Sequence, residues 1–70
     1  MGKRGVFTRR ELEILKLLVQ GKRNRQIAVE LGLKEQTVKN ELRMIFLKLG
    51  VTNRTQAVIK VIKQGLIGVQ

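Results

Sequence analysis

The chain has 70 residues, with 15 Lys and Arg against 5 acidic residues, all Glu, for a formal net charge of +10. A compact chain this basic repels itself unless an anionic partner is near. Cys, His, Asp, Ser, Tyr, Trp and Pro are absent, which excludes disulfides, Cys/His zinc sites and catalysis through His, Cys, Ser or an Asp-containing carboxylate pair. A non-enzymatic chain without cofactor or metal is therefore expected.

The first predicted helix opens at Thr8, with Glu11 three residues on in a capping-box pattern. Phe7 precedes the cap and can staple onto Leu12. Ile14, Leu15, Leu18 and Val19 follow at helical spacing, and Gly21 supplies a left-handed stop. A short second helix is read from Asn24 as N-cap through Ile27, Ala28 and Leu31 to Gly32. The third, about 35–49, is the longest. Its Val38, Leu42, Ile45 and Leu49 form one buried stripe before Gly50. Around Asn53 and Gln56 a further capping pattern starts a fourth helix running through Ala57, Val58, Val61 and Ile62 to Gly65. No stretch alternates with period two, so the fold class is all-α, a tetrahelical domain. A hydrophobic content of 43% supports one small core, and no apolar run approaches the roughly twenty residues of a membrane span. No secretory segment is visible either, so a cytoplasmic, nucleoid-associated location is expected.

Residues 24–49 fit a helix-turn-helix, in which a first helix braces a second that enters the major groove of DNA. Opposite the buried stripe stand Gln36, Asn40, Arg43 and Leu47, with Lys39 beside them. Gln, Lys, Asn and Arg carry the donors and acceptors that read base edges. The same face also suits an ordinary solvated helix, and Glu35 and Lys39 have the spacing of a weak helix-surface ion pair. Lys22, Arg23 and Arg25 surround a helix N-terminus, which itself favours anions, so this turn reads as a phosphate clamp or as a solvated turn.

The residues Phe7-Thr8-Arg9-Arg10-Glu11, Gly21 and Asn24-Arg25-Gln26-Ile27-Ala28 resemble the LuxR-type (GerE-like, NarL-FixJ-like) DNA-binding domain. So do Thr37-Val38-Lys39-Asn40, Lys48-Leu49-Gly50-Val51, Asn53-Arg54 and Ala57-Val58, in register over residues 7–67. Residues 1–6 are then expected to form a flexible basic arm. The resemblance implies a DNA-binding transcriptional regulator, standing alone or as the output domain of a larger response regulator. It implies base contacts from Lys39, Asn40 and Arg43, to which geometry adds Gln36. It also implies phosphate contacts from Asn24, Thr37, Lys48 and Arg54, beside Lys22, Arg23 and Arg25 of the turn.

Lys34 departs from the pattern, standing where these domains often have a Ser N-cap. It caps poorly and places a positive charge at the positive end of the helix dipole, yet it offers a further phosphate contact. Glu41 also departs, standing where His is frequent. On the fourth helix, Val58, Val61 and Ile62 are expected to pack inward with Ala57 at their margin. Ile59 lies about 100° round from Val58, on a second flank. A lone exposed Ile can be incidental, but the resemblance implies a dimer contact by this helix, expected from Gln56, Ile59, Ile62 and Lys63. The partners expected are double-stranded DNA, a second copy of the chain on an inverted repeat and RNA polymerase, with no membrane. The competing readings are a promoter-binding module like sigma-factor region four and a nonspecific basic interaction module.

Overall fold

The computed structural model describes residues 6–67. Four helices follow in order: α1 (Arg9–Val19), α2 (Asn24–Leu31), α3 (Glu35–Leu49) and α4 (Arg54–Lys63), and no strand occurs among the described residues. The tetrahelical expectation is met, and helix boundaries fall within a residue or two of those read from the sequence. Most of the basic arm, residues 1–5, lies outside the described residues. Val6, its last member, is not free, because its carbonyl accepts a hydrogen bond from Lys48 Nζ at 3.1 Å.

All four helices stop in the same way. The glycines at 21, 32, 50 and 65 adopt φ of 88°, 68°, 72° and 65°, a region that costs a residue with a Cβ. Each left-handed glycine lets two N–H groups turn back onto the last helical carbonyls, as Gly32 and Leu33 do onto Val29 and Ala28 at 3.3 and 2.8 Å. The starts are less uniform. Thr8 and Glu11 make the reciprocal capping box at 2.9 and 3.0 Å. The expected Asn24 cap is corrected: Arg23 occupies the N-cap position, its N–H donates to Gln26 Oε1 at 2.8 Å, and Asn24 is the first residue of α2. Asn24 Oδ1 is instead engaged by Arg54. Asn53 caps α4 by accepting from the Gln56 N–H at 2.9 Å, while the Gln56 side chain reaches Thr52 rather than returning to Asn53.

The core lies between α1 and α3, each of which packs against the other three helices. Ile14, Leu15 and Leu18 of α1 meet Val38, Leu42, Ile45 and Leu49 of α3, and Ile27, Ala28 and Phe7 close the sides. The inward face of α4 is corrected. Ala57 and Val61 are fully buried with Leu66 beyond them, Val58 is half-buried, and Ile62 is 40% exposed. The helix is rotated so that Ala57 and Val61 face inward and the β-branched Ile62 lies on the outer flank with Ile59.

One charged group lies in this core. Glu11 is 5% exposed, and both its carboxylate oxygens accept from Lys48 Nζ, at 2.8 and 3.0 Å. The ammonium also sits 5.7 Å from the centroid of the Phe7 ring. The pair ties the C-terminal end of α3 to the N-terminal start of α1. Burial pushes the Glu11 carboxyl up, but hydrogen bonds from Lys48 and from the Thr8 N–H, together with the Lys48 charge, hold it below its ordinary value of 4.5. Its stabilisation is therefore complete above pH 4.5 and is lost as pH falls through the lower folded value. We expect the melting temperature to fall on acidification below that point. Glu11→Gln is expected to cost about 1–3 kcal/mol at neutral pH. The same substitution should flatten the acid limb, which a melting series from pH 7 to 3 checks.

Candidate nucleic-acid interface

The α3 stripe Val38, Leu42, Ile45 and Leu49 faces the core, so the opposite side of the helix faces out by geometry alone. Gln36, Lys39, Asn40 and Arg43 are all exposed on it. The expected Glu35–Lys39 ion pair does not form: the ion pairs among the described residues are Arg10–Glu13 and Lys48–Glu11. Lys39 and Arg43 thus face solvent without a carboxylate partner. Gln36 Nε2 donates to Asn40 Oδ1 at 3.1 Å, orienting the Asn40 amide while leaving its own N–H donors and a second oxygen lone pair available.

Beside this face runs a shallow groove lined by Asn24, Lys39, Leu42, Arg43, Phe46 and Arg54. It brings the start of α2 and the start of α4 next to the outward face of α3, three separate segments of the sequence. Arg54 donates from Nη1 to Asn24 Oδ1 at 3.2 Å and from Nη2 to the Lys22 carbonyl. Burial, and then the neighbouring Arg23 charge, push the Arg54 guanidinium below its ordinary value. Arg23 and Arg25 are exposed and Lys22 half-buried around the same turn.

Two residues implied as phosphate contacts have internal roles instead of free side chains. Lys48 is held by Glu11 and the Val6 carbonyl, and Arg54 by Asn24 and Lys22. Thr37 is half-buried in the first turn of α3. Lys34 is the N-cap of α3 and makes no side-chain cap, as expected from its chemistry. Glu41, half-buried, has no ion-pair partner among the described residues. Two apolar residues on the outward side of α3, Leu47 at 70% and Met44 at 50% exposure, carry no assigned role in the sequence reading. The helical spacing from Asn40 to Leu47 is the signal that places Leu47 on that face. On α4, Gln56, Ile59 and Lys63 line a second groove with Gly50 and Val51, while Ile62 lies on the adjoining flank.

Residues 5–61 match the family model for bacterial regulatory proteins of the luxR family. The chain belongs to the LuxR family. Among curated relatives it is 43% identical over 60 residues to the spore germination protein GerE of Bacillus subtilis (strain 168), covering 86% of this chain and 81% of that protein. It is 45% identical over 65 residues to the transcriptional regulatory protein DegU of Brevibacillus brevis, covering 93% of this chain but 28% of DegU. Among solved structures, GerE superposes with a TM-score of 0.82 at 35% identity, covering 90% of this chain and 94% of that one. The response regulator ChrA of a heme-sensing two-component system gives 0.83 at 50% identity, covering 86% and 30%.

The chain is thus a LuxR-family DNA-binding domain of the transcriptional-regulator class, all-helical, and no helix among its described residues is long and apolar enough to cross a membrane. Within that family the start of α3 is weak for a reason visible in its residues. The Lys34 side chain leaves the first-turn N–H groups without a side-chain acceptor. Lys34→Ser is expected to raise stability by about 0.5–2 kcal/mol through a new N-cap. It should also weaken DNA affinity by removing a cation beside the reading face. Thermal melts and a duplex titration check the two effects separately.

Proposed function

We propose that the chain reads a specific double-stranded DNA sequence with α3 in the major groove. In this reading Gln36, Lys39, Asn40 and Arg43 reach base edges, and Lys22, Arg23, Asn24, Arg25, Lys34 and Thr37 line the phosphates. The observation that carries it is the groove in which Lys39 and Arg43 stand next to Asn24 and Arg54 with no carboxylate among the lining residues. Such a cluster repels itself in the free protein and is relieved by a polyanion. Arg43 has the fork for guanine O6 and N7, and Asn40 the paired donor and acceptor for adenine, each worth about 1–3 kcal/mol of discrimination. A family regulator of this kind works in the cytoplasm, on the nucleoid, without enzymatic chemistry.

The outer flank of α4 supports the second half of the reading, that the chain binds as a dimer on an inverted repeat. Ile59 and Ile62 are 49% and 40% exposed, and Gln56 and Lys63 adjoin them. Lys60 and Lys63 put positive charge beside this small apolar patch, which opposes pairing of free chains and fits pairing on the duplex, where phosphates screen the charge. A two-fold pair places two reading helices one helical turn apart.

An operator selected from a random duplex pool should bind at least ~10³ more tightly than unrelated duplex. If about six phosphates are neutralised, affinity should fall roughly a thousandfold between about 50 and 200 mM salt. Equal affinity for every duplex would favour the nonspecific basic module, and a flat salt response would remove the DNA reading. Ile59→Glu should abolish cooperative filling of the two half-sites while changing stability by no more than about 0.5 kcal/mol and single half-site affinity by no more than about twofold, because Ile59 lies outside the core. Band-shift titrations on full and half operators measure both.

A further inference from the structure

Arg54 is the first residue of α4, yet its side chain is spent on the α1–α2 turn and the first residue of α2, 32 and 30 positions earlier in sequence. Its guanidinium holds two acceptors of different kinds: the Asn24 side-chain oxygen and the Lys22 backbone carbonyl. Those two acceptors bracket Arg23, so the fork holds the backbone on one side of that residue and the Asn24 side chain on the other. No other hydrogen bond among the described residues ties the turn to α4, and the direct packing between α2 and α4 is slight. The arrangement is electrostatically adverse in the free protein. A cation sits at the positive end of the α4 dipole, partly withdrawn from water and close to Arg23, without a carboxylate partner. A lysine would bring the same charge as a point, without the planar fork that spans two acceptors.

We propose that Arg54 is a positioning residue for DNA binding, a latch that holds the Lys22–Arg25 turn in the geometry of a phosphate clamp beside the reading face of α3. This rests on the DNA reading above, and it changes the role of Arg54 from one phosphate contact among several to the group on which the turn's contacts jointly depend. The groove explains the reach of the effect, because the latched pair Asn24 and Arg54 lines it together with Lys39 and Arg43 of α3. Lys22, Arg23 and Arg25 then meet the duplex backbone together or not at all.

The test is a double-mutant cycle with the salt dependence of binding to a selected operator duplex, using the chain itself, Arg54→Lys, Lys22→Ala and the double variant. A latch predicts that Arg54→Lys, although charge is conserved, lowers the salt slope by two phosphates' worth or more, at about 0.9 per phosphate. It also predicts that Lys22→Ala, which weakens the unaltered chain, has little further effect once Arg54 is lysine. A simple phosphate contact predicts the reverse: Arg54→Lys keeps the slope and affinity of the unaltered chain, and Lys22→Ala costs the same factor in both backgrounds. Either of those results overturns the latch while leaving the DNA reading intact. An unaltered chain that binds no duplex in a salt-dependent way overturns the DNA reading and the latch with it. A readout without DNA guards against mere misfolding. Backbone amide signals of residues 22–25 should shift and exchange faster in Arg54→Lys while those of α1 and α3 stay in place. Unmoved signals at the turn would also overturn the latch.

Discussion

The carboxylate of Glu11 is the constraint on which the rest of the domain turns. One group does two jobs: it completes the cap of α1 by accepting the Thr8 N–H, and it receives Lys48 from the far end of α3. Apolar packing alone lets a helix slide or rotate by a small amount at little cost, since it is not directional. A buried charge pair does not, because separating its partners leaves a carboxylate in the core without compensation. Helix α3 is therefore pinned in register against α1, with the Phe7 ring beside the ammonium. The same pin sets where the chain enters the domain, because Lys48 also holds the Val6 carbonyl.

A second tie acts beside α3, at the groove. Arg54 fastens the α1–α2 turn to the start of α4, and between these two ties the outward face of α3 is left bare of internal partners apart from the Gln36–Asn40 contact. The asymmetry of charge follows. Glu11 is the acidic group built into the core, Glu13 pairs with Arg10 on the surface, and the cations around the groove have no carboxylate among the lining residues. Of those cations Arg54 is tied to Asn24 and Lys22, whereas Lys39 and Arg43 have no carboxylate partner among the described residues, and the three repel one another in the free fold. Their retention on one side of a small domain makes physical sense when a polyanion is the partner, and membership of the LuxR family gives that partner its chemistry.

Much of this was legible before any coordinates. The Thr8–Glu11 box, the glycine stops and the spacing of Val38, Leu42, Ile45 and Leu49 are local patterns, set by residues within one or two turns of each other, and they appear in the structure as read. The outward face of α3 was legible for the same reason, being the complement of its buried stripe. Asn24 was misread because its propensity as a cap is a local argument, while its actual partner, Arg54, is thirty residues away. The inward face of α4 was misread because Ala57, Val58, Val61 and Ile62 are all apolar, so periodicity alone leaves its rotation open by a residue or so. Packing against α1 and α3 selected Ala57 and Val61.

The sequence by itself therefore determined the helices, their glycine stops, the charge of +10 and the residues that one side of α3 presents, because each follows from local spacing or composition. Only the tertiary structure decided which cations are free. Lys48 and Arg54 look in the sequence like any other basic residue, and in the fold they are spent on Glu11, Val6, Asn24 and Lys22. Lys39 seemed to have a partner in Glu35 and does not pair with it. Whether a charge faces a partner or is used within the chain depends on what the fold brings within about 4 Å of it. That distance is set by the packing of α1, α3 and α4 together, which no local stretch of residues encodes.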